Sequence, residues 1–165
     1  MTSPDLVRRF LTNAGNAAAG TYTVDDTEGL CRALSEIVPE GAAVYCPAMT
    51  EREKVAAASL LSPVPEYATA SVTVEEVHGA IAETGSLVCA SSGGRAVQAG
   101  LLPAHHVAIL CRERIFATLD DFFASCSEDP PTNITLVTGP SRTADIELTL
   151  AIGVHGPERL DIIVY

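Results

Sequence analysis

Gly139-Pro-Ser-Arg-Thr-Ala-Asp-Ile-Glu147, preceded by Ile134-Thr-Leu-Val-Thr138 and followed by Gly153-Val-His-Gly-Pro157, is the stretch on which the reading of this chain turns. Ile134–Thr138 is apolar and β-branched, the pattern of a buried strand. Gly139-Pro140 breaks it, and Ser141 or Thr143 then supplies a cap for a following helix. Asp145 and Glu147 fall early in that helix, where negative charge suits the dipole, and Gly153 stops it. Arg159-Leu-Asp-Ile-Ile-Val-Tyr165 closes the chain as a strand. In an open α/β sheet, ligands gather where strands end and helices begin. Turn-and-cap chemistry accounts for Gly-Pro-Ser by itself. The density of Ser141, Arg142, Thr143, Asp145, Glu147 and His155 is what marks the stretch as a candidate site.

Elsewhere the chain alternates strands and helices. Ser3-Pro4-Asp5 starts a helix within residues 1–20, with Leu6, Val7, Phe10 and Leu11 on one stripe. Thr21–Val24 is extended, and Asp25, Asp26 and Thr27 cap a helix with Leu30, Leu34, Ile37 and Val38 inward. Ala42–Cys46 is a short buried strand, and a helix runs from Thr50 through Leu61. Tyr67–Ala70 reads as extended, Val74–His78 as a short helix with His78 exposed, and His105–Cys111 as a strong strand. Phe116–Cys126 is a helix burying Leu119, Phe122 and Phe123. This alternation predicts one α/β domain over 1–165, a three-layer sandwich around a mostly parallel sheet.

Ala80-Ile-Ala-Glu-Thr-Gly-Ser-Leu-Val88 sets a carboxylate between two apolar runs, which is expensive unless the charge is paired or used. Glu83 is therefore a candidate for chemistry, and equally for a salt-bridged or solvent-facing acid at a strand bend. Ser91-Ser-Gly-Gly-Arg95 matches neither the dinucleotide fingerprint nor the phosphate loop, though its donors could cradle an anion with Arg95 as counter-charge. Leu101-Leu-Pro-Ala-His-His-Val107 brings His106 toward the site at a strand start and, by alternation, turns His105 the other way.

The run GPSRTADIE, then GVHGP and a terminal apolar strand, resembles the lactate-utilisation protein C family, whose conserved unit is the LUD domain. Residues 80–88 are similar to that family's AIAETGTLV segment, with Ser86 where Thr is usual, and the family's Leu-Leu-Pro-x-x-His falls on His106. The resemblance is strongest over 69–165. It implies a fold like that of the ribose-5-phosphate isomerase, CoA-transferase and 5-formyltetrahydrofolate cyclo-ligase group. It also implies a cytoplasmic part in oxidising L-lactate to pyruvate beside iron–sulfur proteins.

On that reading Glu83, Asp145, His155 and His106 are the catalytic candidates. Thr84, Gly85, Ser86, Gly139, Ser141, Arg142, Thr143 and Arg95 are the candidates for binding a small carboxylate, Arg and backbone donors being suited to it. An alternative is acyl transfer, because Glu83-Thr-Gly85 is similar to the Glu-Asn-Gly turn whose glutamate is the nucleophile of family I CoA transferases. A third is a non-catalytic subunit that keeps a small-anion pocket.

Composition narrows the field further. Ten basic against twenty-one acidic residues, net −11, argues against nucleic acid and anionic membranes. No apolar run approaches a membrane span. Cys31, Cys46, Cys89, Cys111 and Cys126 are too far apart for metal or redox motifs, so no cofactor is recognisably bound here, and the iron–sulfur clusters that the family resemblance implies are expected on partner subunits. The odd count and the absence of a secretory apolar segment predict a reducing cytoplasm. Lys54 is the only lysine, at the polar start of a surface helix.

Overall fold

The structure, a computed structural model, describes residues 3–46, 62–91, 100–144, 150–152 and 156–165. Its first element, α1 (Pro4–Asn16), starts as its residues require. The Ser3 hydroxyl accepts the Asp5 N–H at 3.3 Å and proline fills the first turn. Phe10 and Ala14 are fully buried on its inner face. After β1 (Gly20–Thr23) comes α2 (Thr27–Ile37), capped by Asp26, whose carboxylate accepts the Gly29 N–H at 2.7 Å. The chain continues through β2 (Ala43–Tyr45), β3 (Ser62–Pro63), β4 (Val72–Glu76), β5 (Gly79–Ile81), β6 (Ser86–Ala90), β7 (His105–Leu110) and β8 (Ile115–Phe116). It then forms α3 (Leu119–Ser125), β9 (Ile134–Val137), β10 (Arg142–Ala144), β11 (Leu150–Ile152) and β12 (Arg159–Val164).

Six strands form one sheet in the order β1-β12-β7-β4-β2-β3, with every pairing parallel. One face, through Val44, Val72, Val74, Val107, Ile109 and Ile163, packs on Leu30, Leu34 and Ile37 of α2. The other, through Ala108, Leu110, Leu160, Ile162 and Val164, packs on Phe10 and Ala14 of α1 and on Ala80, Leu87, Cys89 and Val137. This is the expected α/β architecture with a mostly parallel sheet flanked by helices. Burial on both faces is why β7 and β12 read as near-continuous apolar runs.

Half of the second layer is itself a sheet, β8-β5-β6-β9, which the alternation did not foretell. There β5 and β6 pair antiparallel around the Glu83–Gly85 turn, and β9 pairs antiparallel with β6. Ile134–Val137 is therefore an edge strand of this smaller sheet, with Leu136 44% exposed, and not a buried strand of the parallel one.

Further expectations change. No helix begins at Ser141, because Arg142–Ala144 pairs antiparallel with Leu150–Ile152, a partner that local capping signals could not reveal. Val74–His78 is not helical either. β-branched residues beside the central strand β7 settle β4 as a strand, and pairing outweighs the helix propensity of its glutamates. Tyr67–Thr69 is a turn of 3₁₀ helix. In α3 Phe122 is buried but Phe123 is 49% exposed, and His78 is half-buried, edge-on to Phe122 with ring centroids 6.0 Å apart. The helix expected over 50–61 lies outside the described residues.

Candidate functional site

The last turn of α1 is where the sequence motifs meet. Gly85, at φ +71° in the β5–β6 turn, lies so close that a Cβ there would enter the backbone of Asn13 and Ala14. Gly139, at φ +70°, abuts the Ala17 carbonyl in the same way. Both glycines are thus required twice, for the left-handed backbone and for the close approach. Asn13 fastens the turn from the helix side, its Nδ2 donating to the carbonyls of Ala82 at 2.8 Å and Glu83 at 3.2 Å. The Arg142 guanidinium donates to the Ala17 carbonyl at 3.3 Å. No basic residue lies in the last turn of α1, so Arg142 brings the cation that suits the negative end of its dipole.

A hydroxyl chain joins the two motifs, with Thr84 Oγ1 2.7 Å from Ser86 Oγ and Ser86 Oγ 2.7 Å from Thr138 Oγ1. On the far side of Gly139, the Ser141 N–H donates to the Pro157 carbonyl at 2.8 Å, which brings Gly-Pro-Ser and Gly156-Pro157 together. Between them opens a cleft of about 250 Å³, lined by Leu101, residues 136–142, Gly156 and Pro157. A larger depression of about 360 Å³ lies between β1 and α2, and its lining, from Tyr22 to Glu36, includes no motif residue.

The predicted site residues are therefore only partly assembled. Gly139, Ser141 and Arg142 line the cleft; Ser86 and Thr84 reach its Thr138 wall through hydroxyls; Gly85 packs on α1. Thr143 sits in β10 opposite Ala151. Glu83 is exposed, and its Oε1 accepts the Leu119 N–H at 2.9 Å, so it caps α3. The Ser141 amide, expected as an anion donor, is already bonded to Pro157. Arg95, Asp145 and His155 lie outside the described residues.

His106 is fully buried in β7, and its Nε2 is 3.1 Å from Oε1 of Glu75 in β4. His105 does turn to the opposite face, where its Nε2 meets Asp161 Oδ2 at 2.7 Å. Arg159 Nε reaches that same oxygen at 2.7 Å. Burial alone would raise the Asp161 pKa, but the His105 hydrogen bond and the Arg159 charge hold the carboxyl below its usual range. Glu75, Asp161 and Asn13 escaped the sequence reading. For Asp161 the signal was there, since an acid inside Leu-Asp-Ile-Ile-Val is, like Glu83 between its apolar runs, expensive unless paired or used.

Among the described residues, no three His, Cys, Asp or Glu side chains are placed to hold a metal, and no helix is long and apolar enough to cross a membrane. Burial pushes the Cys46 thiol up to about 11 and also raises Cys111, helped there by its hydrogen bond to Glu113.

The family model for the LUD domain matches residues 7–165. This chain belongs to the LUD domain family. Lactate utilization protein C of Macrococcus caseolyticus is 37% identical over 107 residues, 61% of this chain and 46% of that protein. The protein of the same name from Halalkalibacterium halodurans is 34% identical over 90 residues, 51% of this chain and 39% of that protein. The chain thus spans less than half the length of these curated relatives. A crystal structure of a DUF162 family protein from Deinococcus radiodurans has the same fold, with a TM-score of 0.73 over 97% of this chain and 96% of that chain at 20% identity.

Proposed function

We propose that this chain is a component of a cytoplasmic lactate-utilisation system that oxidises L-lactate to pyruvate together with iron–sulfur partner subunits. Its similarity to proteins named lactate utilization protein C carries this reading. The cleft adds support. Its volume, about 250 Å³, leaves room for a three-carbon acid. Arg142 on its rim offers the cation, and Asp145 and His155 follow in the same motifs as the polar groups that would orient the substrate.

Converting lactate to pyruvate removes two protons and two electrons. The cysteines of this chain are spread singly along the sequence, so iron–sulfur clusters on partner subunits would supply the electron acceptor. The acyl-transfer alternative needs an unengaged nucleophile at Glu83, whereas one oxygen of that carboxylate caps α3.

The test measures lactate-dependent reduction of an artificial electron acceptor in cells with and without this chain, and in cells carrying Asp145→Asn. We expect loss of the activity in both altered strains, with the variant retaining its thermal stability. Undiminished lactate oxidation without the chain would overturn the proposal.

A further inference from the structure

Three hydroxyls cross the end of the smaller sheet as one chain. Thr84 lies in the β5–β6 turn, Ser86 opens β6, and Thr138 directly follows β9. The side-chain oxygens of Thr84 and Ser86 are 2.7 Å apart, and so are those of Ser86 and Thr138. Ser86 in the middle is only 4% exposed, whereas Thr84 and Thr138 at the two ends are exposed.

The protons of such a chain can be counted. Three hydroxyls carry three protons, and the two links between them use two. Ser86 is buried, so the third proton belongs at an exposed end, where water or a ligand can accept it. With the spare proton at Thr138, that hydroxyl donates outward. With the spare proton at Thr84, the Thr138 proton goes to Ser86, and Thr138 offers a lone pair outward instead. Turning the hydroxyls about their C–O bonds exchanges the two settings without moving a heavy atom.

Thr138 stands in the wall of the cleft that Arg142 also lines. A cation and a hydroxyl that either donates or accepts suit a carboxylate bearing an oxygen on its next carbon. In a 2-hydroxy acid that oxygen can donate a proton. In the 2-oxo acid formed from it, the same oxygen can only accept one.

We propose that Thr138 binds the C2 oxygen of the acid in this cleft, and that Ser86 is the positioning residue that holds the Thr138 hydroxyl and lets it serve both the 2-hydroxy and the 2-oxo form. This rests on the lactate reading above. The L-lactate hydroxyl donates to Thr138 in one setting of the chain, and the pyruvate carbonyl accepts from Thr138 in the other. Propionate, with hydrogen in place of that oxygen, gains nothing from the chain.

Nitrogen-15 NMR titration of the labelled full chain with the sodium salts of L-lactate, pyruvate and propionate, followed at the Ser141 and Arg142 amides, reads this as a ratio of Kd values. We expect L-lactate and pyruvate each to bind about fivefold to tenfold more tightly than propionate, the contribution of one hydrogen bond. Thr138→Val keeps the shape without the hydroxyl and should bring all three to the propionate level, whereas Thr138→Ser should keep the preference. Ser86→Ala should cut the preference to within about twofold and leave propionate binding unchanged, while a merely structural loss would weaken all three alike. A Ser86→Ala variant with the full preference would overturn the positioning role and leave Ser86 as a tie between β6 and β9. If L-lactate binds and Thr138→Val still prefers it to propionate, the lactate reading stands and the role of Thr138 is overturned. Wild-type chain that binds L-lactate and propionate alike overturns that role with no variant needed, so a variant that does not fold leaves the test intact. If none of the three binds, the lactate reading falls and this one with it.

Discussion

Replacing Gly85 by alanine measures how firmly the Glu83–Gly85 turn is seated on α1. Two costs add at this position. The backbone is left-handed at φ +71°, which penalises any L side chain by about 1 kcal/mol. The new Cβ would also meet the backbone of Asn13 and Ala14, atoms that cannot swing aside as a flexible side chain can. Overpacking of that kind typically costs a further 1–3 kcal/mol or so. Gly41 is the internal control, since its φ is +74° but nothing lies within 4 Å of its built Cβ. Gly41→Ala should therefore lose about 1 kcal/mol, and Gly85→Ala about 3 kcal/mol. For a chain of this size those losses correspond to falls in Tm of about 2–4 °C and 6–12 °C. Urea denaturation followed by circular dichroism gives the same comparison through the midpoint at constant slope. Equal losses in the two variants would refute the packing argument, for they would leave only the conformational cost common to both sites.

Other outcomes follow from the same geometry. Asn13→Ala removes two hydrogen bonds to the carbonyls of Ala82 and Glu83 and should destabilise the chain by about 1–2 kcal/mol in the same urea assay, more than Asn16→Ala, the comparison at the end of the helix. The folded Asp161 carboxyl sits below its usual range, so its contribution is complete above the ordinary carboxylate pKa of about 3.9 and fades as pH falls through the folded value. Asp161→Asn should consequently lower Tm at pH 7 and flatten the acid limb of the Tm–pH curve; an unchanged limb would argue against the pairing with His105 and Arg159. With its thiol pushed up to about 11, Cys46 should react with iodoacetamide at pH 8 far more slowly in the folded chain than in urea, as peptide mass spectrometry would report. Glu83→Gln, which weakens the cap on α3, should cost about 0.5–1 kcal/mol.

What the sequence determined by itself was whatever a few neighbouring residues decide. Ser3-Pro4-Asp5 and Asp26 start helices because cap and orphan amide are two or three residues apart. Val107–Leu110 and Ile162–Val164 become strands because their apolar, β-branched runs suit burial on both faces. The alternation of such elements was enough for an α/β fold. Their partners were decided only in the tertiary structure. The turn after Gly139 carries cap residues suited to a helix, yet pairs Arg142–Ala144 with Leu150–Ile152, since an available strand outweighs a cap worth about 1 kcal/mol. The left-handed glycines could be suspected from the sequence, but not that Gly85 and Gly139 both rest on one helix end from far along the chain. The same holds for the buried acids. Glu75 meets His106 and Asp161 meets His105 from the neighbouring parallel strand β7, and a parallel pair is always separated by a crossover, so these contacts are not local in the sequence; only Arg159, two residues from Asp161, is a near neighbour.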